Sequence, residues 1–271
     1  MIAGNSQYFT RIDTPEHLRT VKSSGKVGIL VGVQNSGHFR TIDDVDLFYG
    51  LGQRVSQLTY NSPNRLGAGS TSVDNGLTEF GAAIVAQMNA AGMAVDVSHC
   101  GDKTSMDAFR ISKQPVLVTH SNCRALVPDA ARCKSDAVLR AMAAQGGVMG
   151  ITAVRAFVSP RSPSLDDLLD HFAHLAQVAG IDHVGLGSDV DVDALDPRTG
   201  SERPAYTIRG MTQARRTFAL VEGLLRRGWT EPQLELVLGG NFRRALAAIW
   251  ERPLTAPTAA SASVAAPART A

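Results

Sequence analysis

Cysteine is scarce in this chain: Cys100, Cys123 and Cys133 are the only three in 271 residues. An odd, sparse count excludes a disulfide framework and points to a reducing compartment. Aromatic residues make up only 6%, and neither sign of charge dominates, leaving a formal net charge of +2. No lysine or arginine cluster forms a stripe, which argues against nucleic acid and anionic membrane as partners. The pairs Arg215-Arg216, Arg226-Arg227 and Arg243-Arg244 fall on expected helices and read as solvated faces. No apolar run approaches the ~20 residues of a membrane span. The first residues, Met1-Ile2-Ala3-Gly4-Asn5-Ser6, lack the basic start and apolar stretch of a signal peptide. The expectation is a cytoplasmic protein without a membrane span.

What is present is a hydrophobic content of 44%, enough for one large α/β core. Residues 1–252 read as that domain. Residues 253–271 are rich in Ala, Pro, Ser and Thr and lack large apolar side chains, so a disordered tail is expected there.

Strand and helix signals alternate along the domain. Continuous apolar runs predict buried strands at 26–34, 54–60, 94–99, 115–120, 147–152 and 184–189. Helical spacing predicts helices at 43–51, 77–91, 102–112, 135–145, 165–179, 212–227 and 233–250, the last interrupted near Gly239-Gly240-Asn241. Val/Ile/Leu strands separated by helices imply a parallel sheet covered on both faces. Ligands drawn from non-adjacent strand ends favour the mouth of a (β/α)8 barrel of the TIM type. Six strands are found where eight are needed, so the first two βα units look absent.

In such a sheet the strand C-termini open onto one face. His99 ends Ala94-Val95-Asp96-Val97-Ser98-His99, and His120 ends Pro115-Val116-Leu117-Val118-Thr119-His120. Asp189 ends Val184-Gly185-Leu186-Gly187-Ser188-Asp189. Two imidazoles and a carboxylate converging there form the ligand set of a metal such as zinc. Asp189 serves equally as a ligand or as a proton shuttle. Asp191, Asp193 and Asp196 follow it and read as a solvated acidic loop. Gln34 ends the first strand, where its uncharged carbonyl oxygen makes a weak metal ligand. Tyr60 and Asn61 end the second and are placed to hydrogen-bond an oxyanion or a substrate carboxylate. Arg132, in the loop after His120, can fork onto a substrate carboxylate, with Arg124 and Lys134 as neighbouring alternatives. His171 and His174 have metal-like spacing, but on an outer helix expected to lie far from the mouth. The cysteines beside His99 and His120 read as small buried hydrophobes.

Several of these pieces together resemble the renal (membrane) dipeptidase family of zinc peptidases, the M19 peptidases. They are Met93 to His99, Val118-Thr119-His120-Ser121-Asn122, Arg132-Cys133-Lys134-Ser135-Asp136, Val184 to Asp191 and Gly239-Gly240-Asn241-Phe242. The resemblance runs from about Lys26 to Trp250. It implies a (β/α)8 barrel, two zinc ions at its mouth, and cleavage of a small dipeptide-like substrate by metal-activated water. By position, His99 and His120 match the histidines of one zinc. Asp189 matches a carboxylate that moves protons, and Arg132 matches the arginine that grips the dipeptide carboxylate. The departures are specific. No His-x-Asp pair precedes Lys26, Gln34 occupies the bridging glutamate position, and Tyr60 occupies that of a substrate-contacting histidine. One or two zinc ions are therefore expected, the second site being the weaker. The rival expectations are a catalytically impaired homologue that binds a small ligand or partner, and a single-metal hydrolase of a non-peptide amide or ester. Two open sheet edges would also invite a homo-oligomer.

Overall fold

A computed structural model describes residues 2–189, 198–201, 203, 208–209, 211 and 215–251. Asp191, Asp193, Asp196, the expected helix start at Thr212 and the 253–271 tail lie outside these described residues. The chain opens with β1 (Phe9–Arg11), α1 (Pro15–Thr20), β2 (Val27–Ile29) and β3 (Gly32–Gln34). It continues through α2 (Asp44–Gly50), β4 (Val55–Gln57), α3 (Glu79–Ala91), β5 (Ala94–Asp96) and α4 (Asp102–Ile111). Next come β6 (Val118–Ser121), α5 (Asp136–Ala144), β7 (Met149–Ile151), the single turn α6 (Arg155–Val158) and α7 (Leu165–Ala179). It closes with β8 (Val184–Leu186), α8 (Arg216–Arg226), α9 (Glu231–Glu235) and α10 (Asn241–Trp250).

Among the described residues, all pairs of named strands are parallel. They form three short sheets, β1–β2, β3–β4–β5 and β6–β7–β8. A single bridge between Asp96 and Leu117 joins β5 to the start of β6, so β3 to β8 lie side by side in chain order. This is the expected α/β arrangement, but no closed barrel forms among the described residues. No helix among them is long and apolar enough to cross a membrane.

The strands are shorter than the apolar runs, for local reasons. The 94–99 run stops at Asp96 because that carboxylate accepts the Ser98 N–H at 2.9 Å and turns the chain. The 26–34 run is split because Val31 O takes both Arg54 N–H (2.9 Å) and Val55 N–H (3.4 Å), which interrupts the ladder. β1 and α1 are additions to the expected list. A three-residue strand shows no alternation, and the six residues of α1 are too few to show a helical stripe. The helix signals translate directly. Thr78 caps α3 by accepting Gly81 N–H at 2.9 Å, and Gly92 ends it in the left-handed region. Ser164 and Asp167 form a capping box at the start of α7. A π-helical turn, Leu236–Gly240, joins α9 to α10 at the expected interruption, with Gly239 at φ 148°.

Two apolar clusters fix which end of the sheet stays open. α3, α5 and α7 bury Ile84, Val85, Met88, Leu139, Met142, Leu168 and Phe172 against one sheet face. At the strands' N-terminal ends, Val55, Ala94, Leu117 and Val148 pack on Ala245, Leu246 and Ile249 of α10. With α10 closing that end, polar chemistry is left to the C-terminal ends.

Candidate active site

His99 and His120 meet at the open end. His99 sits in the turn after β5, and His120 lies within β6. Their Nε2 atoms face each other at 3.0 Å, with ring centroids 5.1 Å apart. Each ring is held from its other nitrogen. His99 Nδ1 donates to Asn61 Oδ1 at 2.7 Å, and Tyr60 stacks on the same ring at 4.1 Å between centroids. His120 Nδ1 lies 2.8 Å from Thr119 Oγ1.

Both rings are buried and uncharged. Burial, followed by the charge of Arg132, the neighbouring His120 ring and the charge of Lys134, pulls the His99 pKa from 6.5 to about 2. Burial also lowers that of His120, against the opposing pull of Asp96 and Asp189. Neutral imidazole is the form that binds metal. Two nitrogens ligating one tetrahedral ion at ~2.0–2.1 Å lie about 3.3 Å apart, so the observed spacing fits a shared ion. Among the described residues, no group of three or more His, Cys, Asp or Glu forms a metal cluster. The pair thus supplies two ligand positions.

The other expected site residues are placed as follows. Asp189 is exposed, three residues past β8, with left-handed φ 55°. Such backbone is uncommon outside glycine and tends to mark functional loops. Its charge reaches the pair, raising the proton affinity of both His120 and Arg132. Gln34 is exposed at the end of β3, in register with buried Gln57, and is followed by Asn35 at φ 127°. Tyr60 and Asn61 both sit against His99, so Asn61's carbonyl is committed to orienting a ring.

Arg132 is only 5% exposed. Its Nη1 donates to Ser98 O and, at 3.2 Å, to Ser121 Oγ, while Nη2 donates to His120 O at 2.8 Å. One guanidinium therefore ties together the backbones that carry both histidines. Its Nε is buried without a hydrogen-bond partner among the described residues.

Two supports of the pair differ from sequence reasoning: Lys134, expected as an alternative carboxylate-binding residue, is turned inward, and Asp96 has no expected role. Lys134 is fully buried, and its ammonium donates to Val97 O and Cys100 O, each at 2.7 Å, on either side of His99. Asp96 is buried beneath the pair and accepts from Ser98 and Thr119. The available signal for Asp96 was a carboxylate inside an otherwise apolar strand, a group that burial disfavours unless it is satisfied.

Other expectations resolve simply. Cys100, Cys123 and Cys133 are free and buried. His171 is buried in α7, where Nδ1 accepts Cys123 N–H at 3.1 Å and Nε2 donates to Val158 O at 2.9 Å, a structural role. His174 bonds Asp136 at 2.8 Å. Two of the arginines expected on solvated faces have partners: Arg227 bonds Asp170 at 2.7 Å, and Arg244 bonds Gly146 O and Asp182 O.

Known proteins resemble this chain in sequence and in fold. Dipeptidase verJ of Clonostachys rogersoniana is 33% identical over 243 residues, which is 88% of this chain and 59% of that one. A protein of Schizosaccharomyces pombe named uncharacterized dipeptidase C965.12 is 32% identical over 75% of this chain and 52% of its own length. The chain thus spans about half to three-fifths of these relatives. The crystal structure of an amidohydrolase from Pseudomonas aeruginosa superposes with a TM-score of 0.80 at 32% identity, covering 92% of this chain and 81% of that one. The family model described as membrane dipeptidase (peptidase family M19) matches residues 1–256, and the chain belongs to that family.

Proposed function

We propose that the open end of this sheet is a dipeptidase-type hydrolase site built on a zinc ion held by His99 and His120. The facing of two uncharged ring nitrogens at 3.0 Å carries this reading. When bound, zinc would supply Lewis acidity toward the peptide carbonyl and lower the pKa of a water. The protein's own groups do the rest. Asn61 and Tyr60 hold the His99 ring in place. Asp189, exposed at the same end, carries the proton to the leaving nitrogen. Three of the five Arg132 N–H groups are taken, which leaves Nε–H and one Nη2–H for the carboxylate of a dipeptide-like substrate. Gln34 adds at most a weak oxygen ligand.

Two histidines on one ion, with no third ligand among the described residues, favour a single-zinc site over a zinc pair. A single-metal site also suits a non-peptide amide or ester, and the substrate panel below separates the two. We read β3 to β8 as six neighbouring strands of a (β/α)8-type barrel. Their in-order parallel neighbours support that reading. The open edges would make the chain self-associate, which gel filtration tests.

The experiment is zinc content by mass spectrometry of wild type, His99→Ala and His120→Ala, with hydrolysis of a panel of dipeptides and simple esters before and after chelation. Stoichiometric zinc lost in both variants, with chelator-sensitive dipeptide cleavage, is the expected result. Unchanged metal content in both variants overturns the site. Zinc without any hydrolysis assigns the chain as a metal-holding, catalytically impaired homologue.

A further inference from the structure

Beneath the histidine pair lies a chain of hydrogen bonds that the proposed chemistry does not use. It runs from the Asp96 carboxylate to the Thr119 hydroxyl and on to His120 Nδ1. Asp96 Oδ1 accepts three donors: Ser98 N–H at 2.9 Å, Ser98 Oγ–H at 2.5 Å and Thr119 N–H at 3.1 Å. Asp96 Oδ2 accepts Thr119 Oγ1–H at 2.6 Å. Thr119 Oγ1 is 2.8 Å from His120 Nδ1.

A hydroxyl has one hydrogen to give. The carboxylate takes it, so Thr119 can only accept from the ring. Nδ1 must then carry the proton, and Nε2 must present its lone pair towards His99. Ser98 reinforces the direction, because its hydroxyl accepts His120 N–H at 3.1 Å while its own hydrogen goes to Asp96.

We propose that Asp96 is a positioning residue that sets the tautomer of His120 through the Thr119 hydroxyl and so keeps Nε2 free to take a cation. The tautomer stands on the hydrogen-bond geometry alone. Its consequence for zinc rests on the function proposed above. A carboxylate acting on a histidine is a familiar support for metal ligands. Here the carboxylate acts at one remove, through a threonine that lies next to the ligand in sequence.

Asp96→Asn reverses the chain with almost no change of shape. The three donors on Oδ1 keep the amide oxygen there, so the amide nitrogen takes the Oδ2 position and donates to Thr119. The hydroxyl must then donate to Nδ1, and the proton moves to Nε2.

The test is 15N NMR of histidine-labelled, metal-free protein near neutral pH, paired with zinc affinity from chelator competition. The expected results are Nδ1–H for His120 in wild type and Nε2–H in Asp96→Asn, with zinc affinity lowered about 10- to 100-fold. Thr119→Ser keeps the wild-type tautomer and affinity, and Thr119→Val gives a mixture of tautomers. If Asp96→Asn does not fold, the two threonine variants decide the matter. Nδ1–H persisting in Asp96→Asn, or unmixed in Thr119→Val, overturns the proposal. A wild type that binds no zinc but shows the flip refutes the metal reading while supporting the tautomer assignment.

Discussion

Lys134 offers a quantitative test of how the His99 turn is held. Its ammonium is fully buried, and burial drives its pKa from 10.5 down to about 8. The unfolded chain therefore binds this proton more readily than the folded one between those two values. Where the unfolded state holds more protons, stability rises with pH. The Lys134 contribution to wild-type stability should rise as pH climbs from about 8 towards 10.5, by roughly 3 kcal/mol over the whole window and about 2 kcal/mol between pH 8 and 10, while the three buried thiols, raised by burial, act in the opposite direction in wild type and variant alike. Lys134→Met removes the titration. It also leaves Cys100 O without a donor among the described residues, whereas Val97 O keeps Cys100 N–H at 3.0 Å. One orphaned carbonyl costs about 1–3 kcal/mol, close to the cost of burying the charge, so the variant should nearly match wild type at pH 7. The gap should then open with pH. Urea unfolding of both proteins with chelator present measures it. With an m-value of about 2–3 kcal/mol/M, the midpoint separation should widen by roughly 0.7–1 M from pH 8 to pH 10. Parallel midpoint curves across that range would refute the reasoning, because they would mean that Lys134 titrates like a surface lysine.

Three further outcomes follow from the same packing. Asn61→Ala frees the His99 ring and should weaken zinc binding about tenfold while leaving the melting temperature close to wild type; equal affinity in a competition assay counts against Asn61 as the orienting group. Gly187→Ala would place a methyl 1.9 Å from Thr119 O, on the strand that carries His120. It should cost about 3 kcal/mol or more, and wild-type thermal stability would show that the β6–β8 contact is looser than described. His171 should stay neutral below pH 6.5, because burial lowers its pKa and Nδ1 must remain an acceptor for Cys123 N–H. The unfolded chain takes that proton first, so stability should fall as pH drops through 6.5 towards the lower folded value, and an NMR titration midpoint at or above 6.5 contradicts it.

The fold was legible wherever one segment carried its own pattern. The apolar runs at 94–99 and 115–120 could only be buried strands, and helices between them forced a parallel order that sends their ends to one side. That logic alone predicts that His99 and His120 are neighbours, as they are at 3.0 Å. It does not predict strand length. β5 ends at Asp96 because a side chain three residues before His99 competes for the backbone. β2 and β3 part because Val31 O serves two donors from a distant segment. Interruptions of this kind arise from contacts between segments, and hydrophobic periodicity carries no record of them.

The chemistry of the site was legible in its residue types and hidden in its wiring. Arg132 shows why. As a loop arginine near a histidine, it reads as a hand reaching for substrate. In the fold its Nη groups hold Ser98 O and His120 O, and Nε is the one nitrogen without a partner among the described residues. Lys134, two residues on, holds the carbonyls flanking His99. Two buried cations thus brace a turn whose outward product is a pair of uncharged nitrogens. Positive charge set this close to the rings disfavours their protonation and leaves the lone pairs for another cation. A divalent ion must still overcome the same repulsion, which a carboxylate ligand would offset. Gln34 brings no charge to do so. Buried Asp96 and, less strongly, Asp189 are the carboxylates whose influence reaches His120 and Arg132, and Asp189 is the exposed one of the two. Asp189→Asn should therefore weaken zinc binding even if Asp189 never touches the metal, and should weaken it more at low salt than at high salt, where screening reduces both the repulsion and its relief. Titrating zinc into both proteins at two ionic strengths measures this, and identical affinities for the two would place the compensating charge elsewhere.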